Sequence, residues 1–318
     1  MILRIIKDAG WKVPIYFAVT VSQSNRIGLD SYLDMQGLTF QLKSHKTSPV
    51  DQSMMHKNLM TQIGPDDWST DFTMSGFNSP IDEEYKNWSR EYLPGYMFRN
   101  LGNNKIYYND QVIRLLQNYR SAYMQLAVTY YMDYQQEKRK KSPDEYVLID
   151  LSEKAVSVLD QMRFNIPEST IPITSEDLHY QVARLYGDLN RKDSMKDILD
   201  ELISMSGLSP SNKVEYANVY FRELDDTEMA INILSDLQNE YTKMENMVKI
   251  KGFSKGSVST ALWNRWQKAF PDIVSSLVYI YKSTNRYLEA EDVLVNWISR
   301  FPNDNNAKKL LEEVRSQD

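Results

Sequence analysis

The chain has no cysteine, three histidines, and only eleven glycines and eleven prolines in 318 residues. Without cysteine there is no thiolate nucleophile, no disulfide framework and no thiolate metal ligand. His45, His56 and His179 are scattered through the chain. None of them forms an HExxH or another paired-ligand spacing, so no metal site is expected. The glycine-rich dinucleotide fingerprint, the Walker loop and the GxSxG elbow are also missing. With no nucleophile–base pair and no phosphate loop, no catalytic residue is assigned and no cofactor is expected. The longest apolar run, Val13–Val21, falls far short of the roughly 20 residues that span a bilayer. Met1–Ile6 is apolar, but Lys7 and Asp8 end it too soon for a signal peptide. The chain as it stands is expected to be soluble.

A basic surplus is lacking too. The net charge is −6, and residues 1–108 are neutral, with 11 Lys+Arg against 11 Asp+Glu. Neither part has the basic footprint of a nucleic-acid-binding protein. The single basic run, Lys138–Lys141, falls at a predicted helix end, where cations complement the dipole. The acidic clusters Asp66-Asp67 and Asp82-Glu83-Glu84 read as solvated or helix-capping groups.

Against these absences stands an ordinary globular composition, 42% hydrophobic and 25% charged, in a chain long enough for two domains or one helical array. Residues 1–45 read as a small α/β segment. Leu3–Asp8 is a short helix. Ile15–Val21, rich in β-branched and aromatic residues, is a strand behind Pro14. Asp30–Gln36 is expected to make one or two helical turns before Gly37, and Leu38–Leu42 a second strand. Residues 46–108 are irregular and aromatic-rich. Their one clear helix start is Ser79-Pro80 with Asp82 behind it, predicting a helix to about Tyr92.

Residues 109–318 are helix after helix. Gln111–Lys140 is long and amphipathic. Caps are predicted at Ser142, with Pro143 at the first helical position, at Thr174 with Asp177, at Ser209 before Pro210, and at Asp225 with Glu228. A repeat runs through this part. Tyr186 is preceded by Ala183 and followed by Met195, Leu199 and Leu202. Phe221 is preceded by Ala217 and followed by Ala230, Leu234 and Leu237. Tyr281 is preceded by Leu277 and followed by Ala290, Leu294 and Trp297, with Pro302 closing the unit. The first two aromatics are 35 residues apart, close to the 34 of a tetratricopeptide unit. The next two are 60 apart, one repeat plus about 25 residues, which falls on the insertion Tyr241–Trp266. That insertion is expected to lengthen the second helix of unit two and to break at Gly252 and Gly256. Ala290 is small where two helices cross, Asn303 is the predicted cap of the last helix, and Asp304–Ser316 has the polar character of an end cap. These offsets resemble the tetratricopeptide superfamily. The fold class implied is mostly α, a tetratricopeptide-like helical-hairpin solenoid with a small N-terminal α/β segment.

The head of the chain carries a second pattern. Trp11, Lys12, Pro14, Ile15, Tyr16, Phe17 and Ala18 make a W-K-x-P-I-Y-F-A strand. Gly28, Leu29, Tyr32, Leu33, Gly37 and Leu38 make a G-L-x-x-Y-L-x-x-x-G-L segment. Ile106-Tyr107-Tyr108 leads into a helix with Arg114 and Arg120. These residues resemble the segment that follows the membrane domain in a family of large bacterial membrane proteins common in Bacteroidota. That family is of unknown function and is related to protein O-mannosyltransferases, which use polyprenyl-linked sugar. Gly10 stands where the family pattern has Asn. The resemblance implies an extracytoplasmic, C-terminal, non-catalytic region at the periplasmic face of the inner membrane. Its parent would be a membrane glycosyltransferase.

Ten of the 37 aromatics fall in residues 65–108 among Asn, Ser and Asp, a mixture suited to a peptide or a sugar. From it, Trp68, Trp88, Tyr92 and Tyr96 are the candidate ligand-binding aromatics. The inner helices of the hairpins add His179, Arg184, Asn218, Arg222, Tyr279 and Lys282. The expected partner is a protein or peptide, with a glycan as a second ligand class, no nucleic acid, and contact with a membrane only through a preceding part. The alternative reading is a free-standing tetratricopeptide interaction scaffold.

Overall fold

Apolar residues at helical spacing dominate the second half of the sequence, and the chain folds accordingly. A computed structural model describes residues 1–61, 96, 98, 101–205, 207–253 and 258–317. It is mostly α-helical, built of helical hairpins with a small three-stranded sheet near the N-terminus. The chain divides into two compact units, Met1–Leu178 and His179–Asp318.

The first unit opens with α1 (Ile2–Ala9), closed by Gly10 in the left-handed conformation. β1 (Tyr16–Ala18), β2 (Leu33–Met35) and β3 (Thr39–Leu42) come next, in antiparallel order β1-β3-β2. Phe17, Leu33 and Leu42 form its core, against which Ile2, Ile6, Ile15 and Phe40 pack. The expected helix over Asp30–Gln36 is a single 3-10 turn, Asp30–Tyr32, followed by β2. Pairing of Leu33 with Leu42 and of Met35 with Phe40 gives that segment both ladder hydrogen bonds and burial, which outweigh its local helical tendency. Gly37 makes the connection at φ 122, open to glycine alone without strain. α2 (Gln52–Met60) has no counterpart in the sequence reading. The Asp51 carboxylate accepts from Met54 N, and only Met55 and Leu59 are buried. Two apolar residues four apart are too faint a period to announce a helix.

α3 (Asp110–Lys138), capped by Asn109, pairs with α4 (Glu145–Asn165). The basic run ends α3 as expected, with Lys140 ion-paired to Glu137 at 2.5 Å. Buried Glu137 also accepts from Asp144 N. These two contacts hold its carboxyl below the usual range, the Lys140 bond contributing most. Asp144, not Ser142, caps α4, because Asp144 accepts from Tyr146 N and Val147 N.

In the second unit the hairpins are α5 (Glu176–Asp188) with α6 (Lys192–Ser204), α7 (Pro210–Arg222) with α8 (Thr227–Lys251), and α9 (Thr260–Ser283) with α10 (Tyr287–Arg300). α11 (Asn305–Arg315) comes last. Each hairpin turns through one left-handed residue: Asn190 at φ 61, Asp225 at φ 57, Asn285 at φ 58. Asn and Asp tolerate that region best among side-chain-bearing residues. In the first and third turns the following amide closes onto the helix-ending aromatic, Arg191 N to Tyr186 O and Arg286 N to Tyr281 O, both 2.8 Å. Ala183, Tyr186, Leu199 and Leu202 are buried in the first hairpin, Ala217, Ala230, Leu234 and Leu237 in the second, and Leu277, Ala290 and Leu294 in the third. Of the three aromatics that set the repeat, only Tyr186 is fully buried. In the second unit of the repeat Tyr220, one residue earlier, takes the interior position, leaving Phe221 half-buried.

Three predicted caps shift by one residue. Ser175 accepts from Leu178 N in place of Thr174. Asp226, not Asp225, accepts from Met229 N. Asp304, not Asn303, caps α11. Ser209 caps α7 as expected, with Pro210 at the first position. The insertion lengthens α8, which ends at Gly252. Gly256 lies outside the described residues.

Candidate functional site

The first helices of successive hairpins carry the predicted binding residues, and side-chain contacts join these helices to one another. Between α5 and α7, Tyr180 lies against Tyr216 with centroids 4.9 Å apart, and Arg184 pairs with Glu223. Glu215 and burial push the Tyr180 hydroxyl upward, burial contributing most. Between α7 and α9, Asn218 Nδ2 donates to Ser276 Oγ at 3.2 Å and Phe221 meets Tyr279 edge-on at 5.9 Å. The Arg222 guanidinium lies 5.5 Å from the Tyr279 ring centroid. Between α9 and α11, Lys282 pairs with Glu313 at 3.3 Å.

These contacts sort the candidates. Arg184 is engaged by Glu223 and Asp188, and Lys282 by Glu313. His179 is buried, its Nε2 3.4 Å from a Glu201 carboxylate oxygen on the other helix of its hairpin. Asn218 is half-buried and spent partly on Ser276. Arg222 and Tyr279 differ from the rest. Arg222 is exposed, Tyr279 is 50% exposed, and the two form a cation-on-ring pair at the surface. A guanidinium held over an aromatic keeps its outward N–H groups for a carboxylate or a carbonyl. Phe221, read in the sequence only as a repeat aromatic, seats this pair, and Ser276, which holds Asn218, carries no signal in the sequence beyond its place on the helix.

Tyr96 stands elsewhere, in the first unit. Its hydroxyl accepts from Leu38 N at 2.8 Å, and its ring meets Tyr119 edge-on at 5.5 Å. Burial raises the hydroxyl above the ordinary tyrosine value. A Cβ on Gly37 would collide with this hydroxyl. Tyr96 therefore fastens the β2–β3 connection to α3. Trp68, Trp88 and Tyr92, the acidic clusters at 66–67 and 82–84, and the helix predicted from Ser79 to Tyr92 all lie outside the described residues.

The first unit also contains buried polar groups that are integral to its fold. Arg120 is fully buried on α3 and donates to the carbonyls of Ile166, Ile171 and Pro172. Desolvation lowers its pKa to about 10. Tyr123 is fully buried, donates to Leu59 O and accepts from Asn165 Nδ2, both at 2.8 Å. Burial pushes it up to about 12. His56 Nδ1 lies 2.9 Å from the Tyr130 hydroxyl. These groups tie α2 and the loop after α4 to α3, which gives Arg120 a structural role.

Residues 1–62 match the family described as TMEM260-associated domain 2. TMEM260 is a candidate protein O-mannosyltransferase, so the match fits the resemblance carried by Trp11–Ala18 and Gly28–Leu38. It covers the sheet, its helix α1 and all of α2. A second similarity is to an inner kinetochore subunit, fta4, of Schizosaccharomyces pombe, at 28% identity over 147 residues. That alignment takes in 45% of this chain and 60% of the yeast protein, so the chain spans less than two thirds of that relative. No helix among the described residues is long and apolar enough to cross a membrane.

Proposed function

We propose that this chain is the non-catalytic, extracytoplasmic region of a bacterial membrane glycosyltransferase of the protein O-mannosyltransferase-like kind, of a type common in Bacteroidota. It binds or positions a protein partner or acceptor at the periplasmic face of the inner membrane. The observation that carries this reading is the joining, in one chain, of a head matching a glycosyltransferase-associated domain to an array of helical hairpins. The array supports binding because stacked hairpins present successive first helices as one continuous surface for an extended peptide. On that surface Arg222 and Tyr279 are the exposed pair. They favour a segment with carboxylate or carbonyl groups beside an apolar side chain.

The test is a binding measurement on the purified chain. Extended acceptor-type peptides are titrated against wild type and against Arg222→Glu with Tyr279→Ala. Loss of an exposed anchor pair is expected to weaken binding about tenfold or more while the melting temperature stays put. Polyprenyl-phosphate sugar and the same peptides are expected to give no turnover with the chain alone. Turnover abolished by a single carboxylate substitution would refute the non-catalytic role, and equal peptide affinity in the double variant would refute the surface.

A further inference from the structure

We infer that the N-terminal helix and the residues just after it form a membrane-surface contact that takes anionic phospholipid. The inference deepens the proposed function and rests on it for the presence of a membrane nearby. Its own support lies in the first 13 residues. At 100° per residue, Ile2 and Ile6 of α1 face the sheet, where they pack against the Phe17 core. Leu3 and Ile5 lie on the two flanks of that face and remain 67% and 48% exposed. Met1 is exposed as well. The first turn is therefore apolar in nearly every direction, interrupted by Arg4 alone. Arg4, Lys7 and Asp8 occupy the face away from the sheet, so α1 is amphipathic, and its apolar stripe is wide enough for Leu3 and Ile5 to extend past the sheet into the open. No residue of α1 is fully buried, so the chain itself does not cover the outer part of that stripe among the described residues.

Residues 7–13 specify the kind of surroundings that part would meet. Trp11 is 54% exposed and Val13 is exposed beside it. Lys7 precedes them and Lys12 lies between them, and with Arg4 these cations outnumber Asp8, the only acid in residues 1–13, three to one. Asp8 itself pairs with Arg4. Exposed aliphatic side chains followed by tryptophan and cations make an arrangement that settles at a bilayer boundary, with the indole at headgroup level and cations on lipid phosphates. The local cationic character contrasts with the chain's net −6. That contrast favours an anionic leaflet over a second protein surface.

The experiment uses the whole chain and phosphatidylcholine vesicles with or without a minority of phosphatidylglycerol. Wild type is expected to co-sediment with the anionic vesicles, to release at high salt, and to show a blue shift in tryptophan emission that Trp11→Phe removes. Leu3→Asp with Ile5→Asp, both at exposed sites, should abolish sedimentation without moving the melting temperature. Lys7→Gln with Lys12→Gln should weaken it about thirtyfold, from roughly 1 kcal/mol for each of the two cations lost near an anionic surface. Wild type left in the supernatant, or a Leu3/Ile5 variant that binds as well as wild type, overturns the inference. So does equal binding to both vesicle types. Peptide affinity, measured in parallel, separates the two readings: vesicle binding lost with peptide binding intact sinks only the membrane contact, and the converse sinks only the peptide surface.

Discussion

The two units solve the same problem with different materials. In the first, irregular connections abound, and buried polar side chains satisfy their backbone. Arg120 serves three carbonyls of the loop after α4, Tyr123 serves Leu59, and Tyr96 accepts the Leu38 amide. In the second, helices satisfy their own backbone and cohesion comes from a periodic apolar stripe, with ion pairs such as Lys192–Asp225 and Lys196–Asp226 at the surface. Where the chain is regular, apolar packing is enough. Where it is irregular, every unpaired carbonyl needs a donor brought from elsewhere.

The comparison breaks most directly at Arg120. Arg120→Met leaves three carbonyls without their donor and is expected to destabilise by about 4 kcal/mol, read as a shift in the urea midpoint. A loss under 1 kcal/mol would show that the loop does not depend on the guanidinium. In the second unit the sensitive quantity is volume. Ala290 is fully buried, and Ala290→Trp should cost about 3 kcal/mol or more by overpacking. A variant as stable as wild type would mean α9 and α10 can separate there.

pH sharpens the contrast. Tyr123 titrates near 10 when unfolded and about 12 when folded. Above pH 10 the unfolded state therefore loses its proton first. The stability that Tyr123 contributes is fully present below pH 10 and is lost as the pH rises toward 12. Thermal melts of wild type should fall across that window, and Tyr123→Phe should make the fall shallower. Identical slopes would sink the assignment.

Smaller effects belong to the turns. Asp226 caps α8 and pairs with Lys196, both of which lower its pKa, the Lys196 contact first. Asp226→Ala should cost about 1 kcal/mol, whereas Lys192→Ala, removing an exposed pair, should stay within about 0.5 kcal/mol. Equal effects from the two substitutions would erase the distinction between a cap and a surface ion pair.

The helical class was legible because apolar periodicity repeats and is averaged over many residues, whereas the exact spacing was not, since the buried partner of Tyr186 is Tyr220 and not Phe221. The cap residues were less legible than the class. Thr174 stands beside Ser175, Asp225 beside Asp226 and Asn303 beside Asp304. Each pair offers two competent caps, and the choice depends on which residue the turn needs at positive φ, as at Asp225. β2 is hidden from a local reading because its partners lie in β3, beyond a local window. Among the candidate site residues, chemical type was legible but availability was not. Arg184 and Arg222 look alike in sequence, yet Glu223 engages the first and leaves the second on an aromatic ring.

The insertion that lengthens α8 has one more consequence. α5, α6 and α7 have 13 residues each, whereas α8 has 25 and α9 has 24. The extra residues are divided almost equally between two neighbouring antiparallel helices, so both arms of the outgrowth stay in step. Tyr241, stacked on Phe270 at 3.7 Å and on Trp263 at 5.3 Å, seals its root. Eleven or so added residues per arm carry its tip about 16 Å farther than an ordinary hairpin. Growth of this kind is evolutionarily cheap: about seven residues inserted at the tip add one turn to each arm and disturb no existing crossing. Reach can therefore be adjusted in whole turns while the rest of the array keeps its sequence.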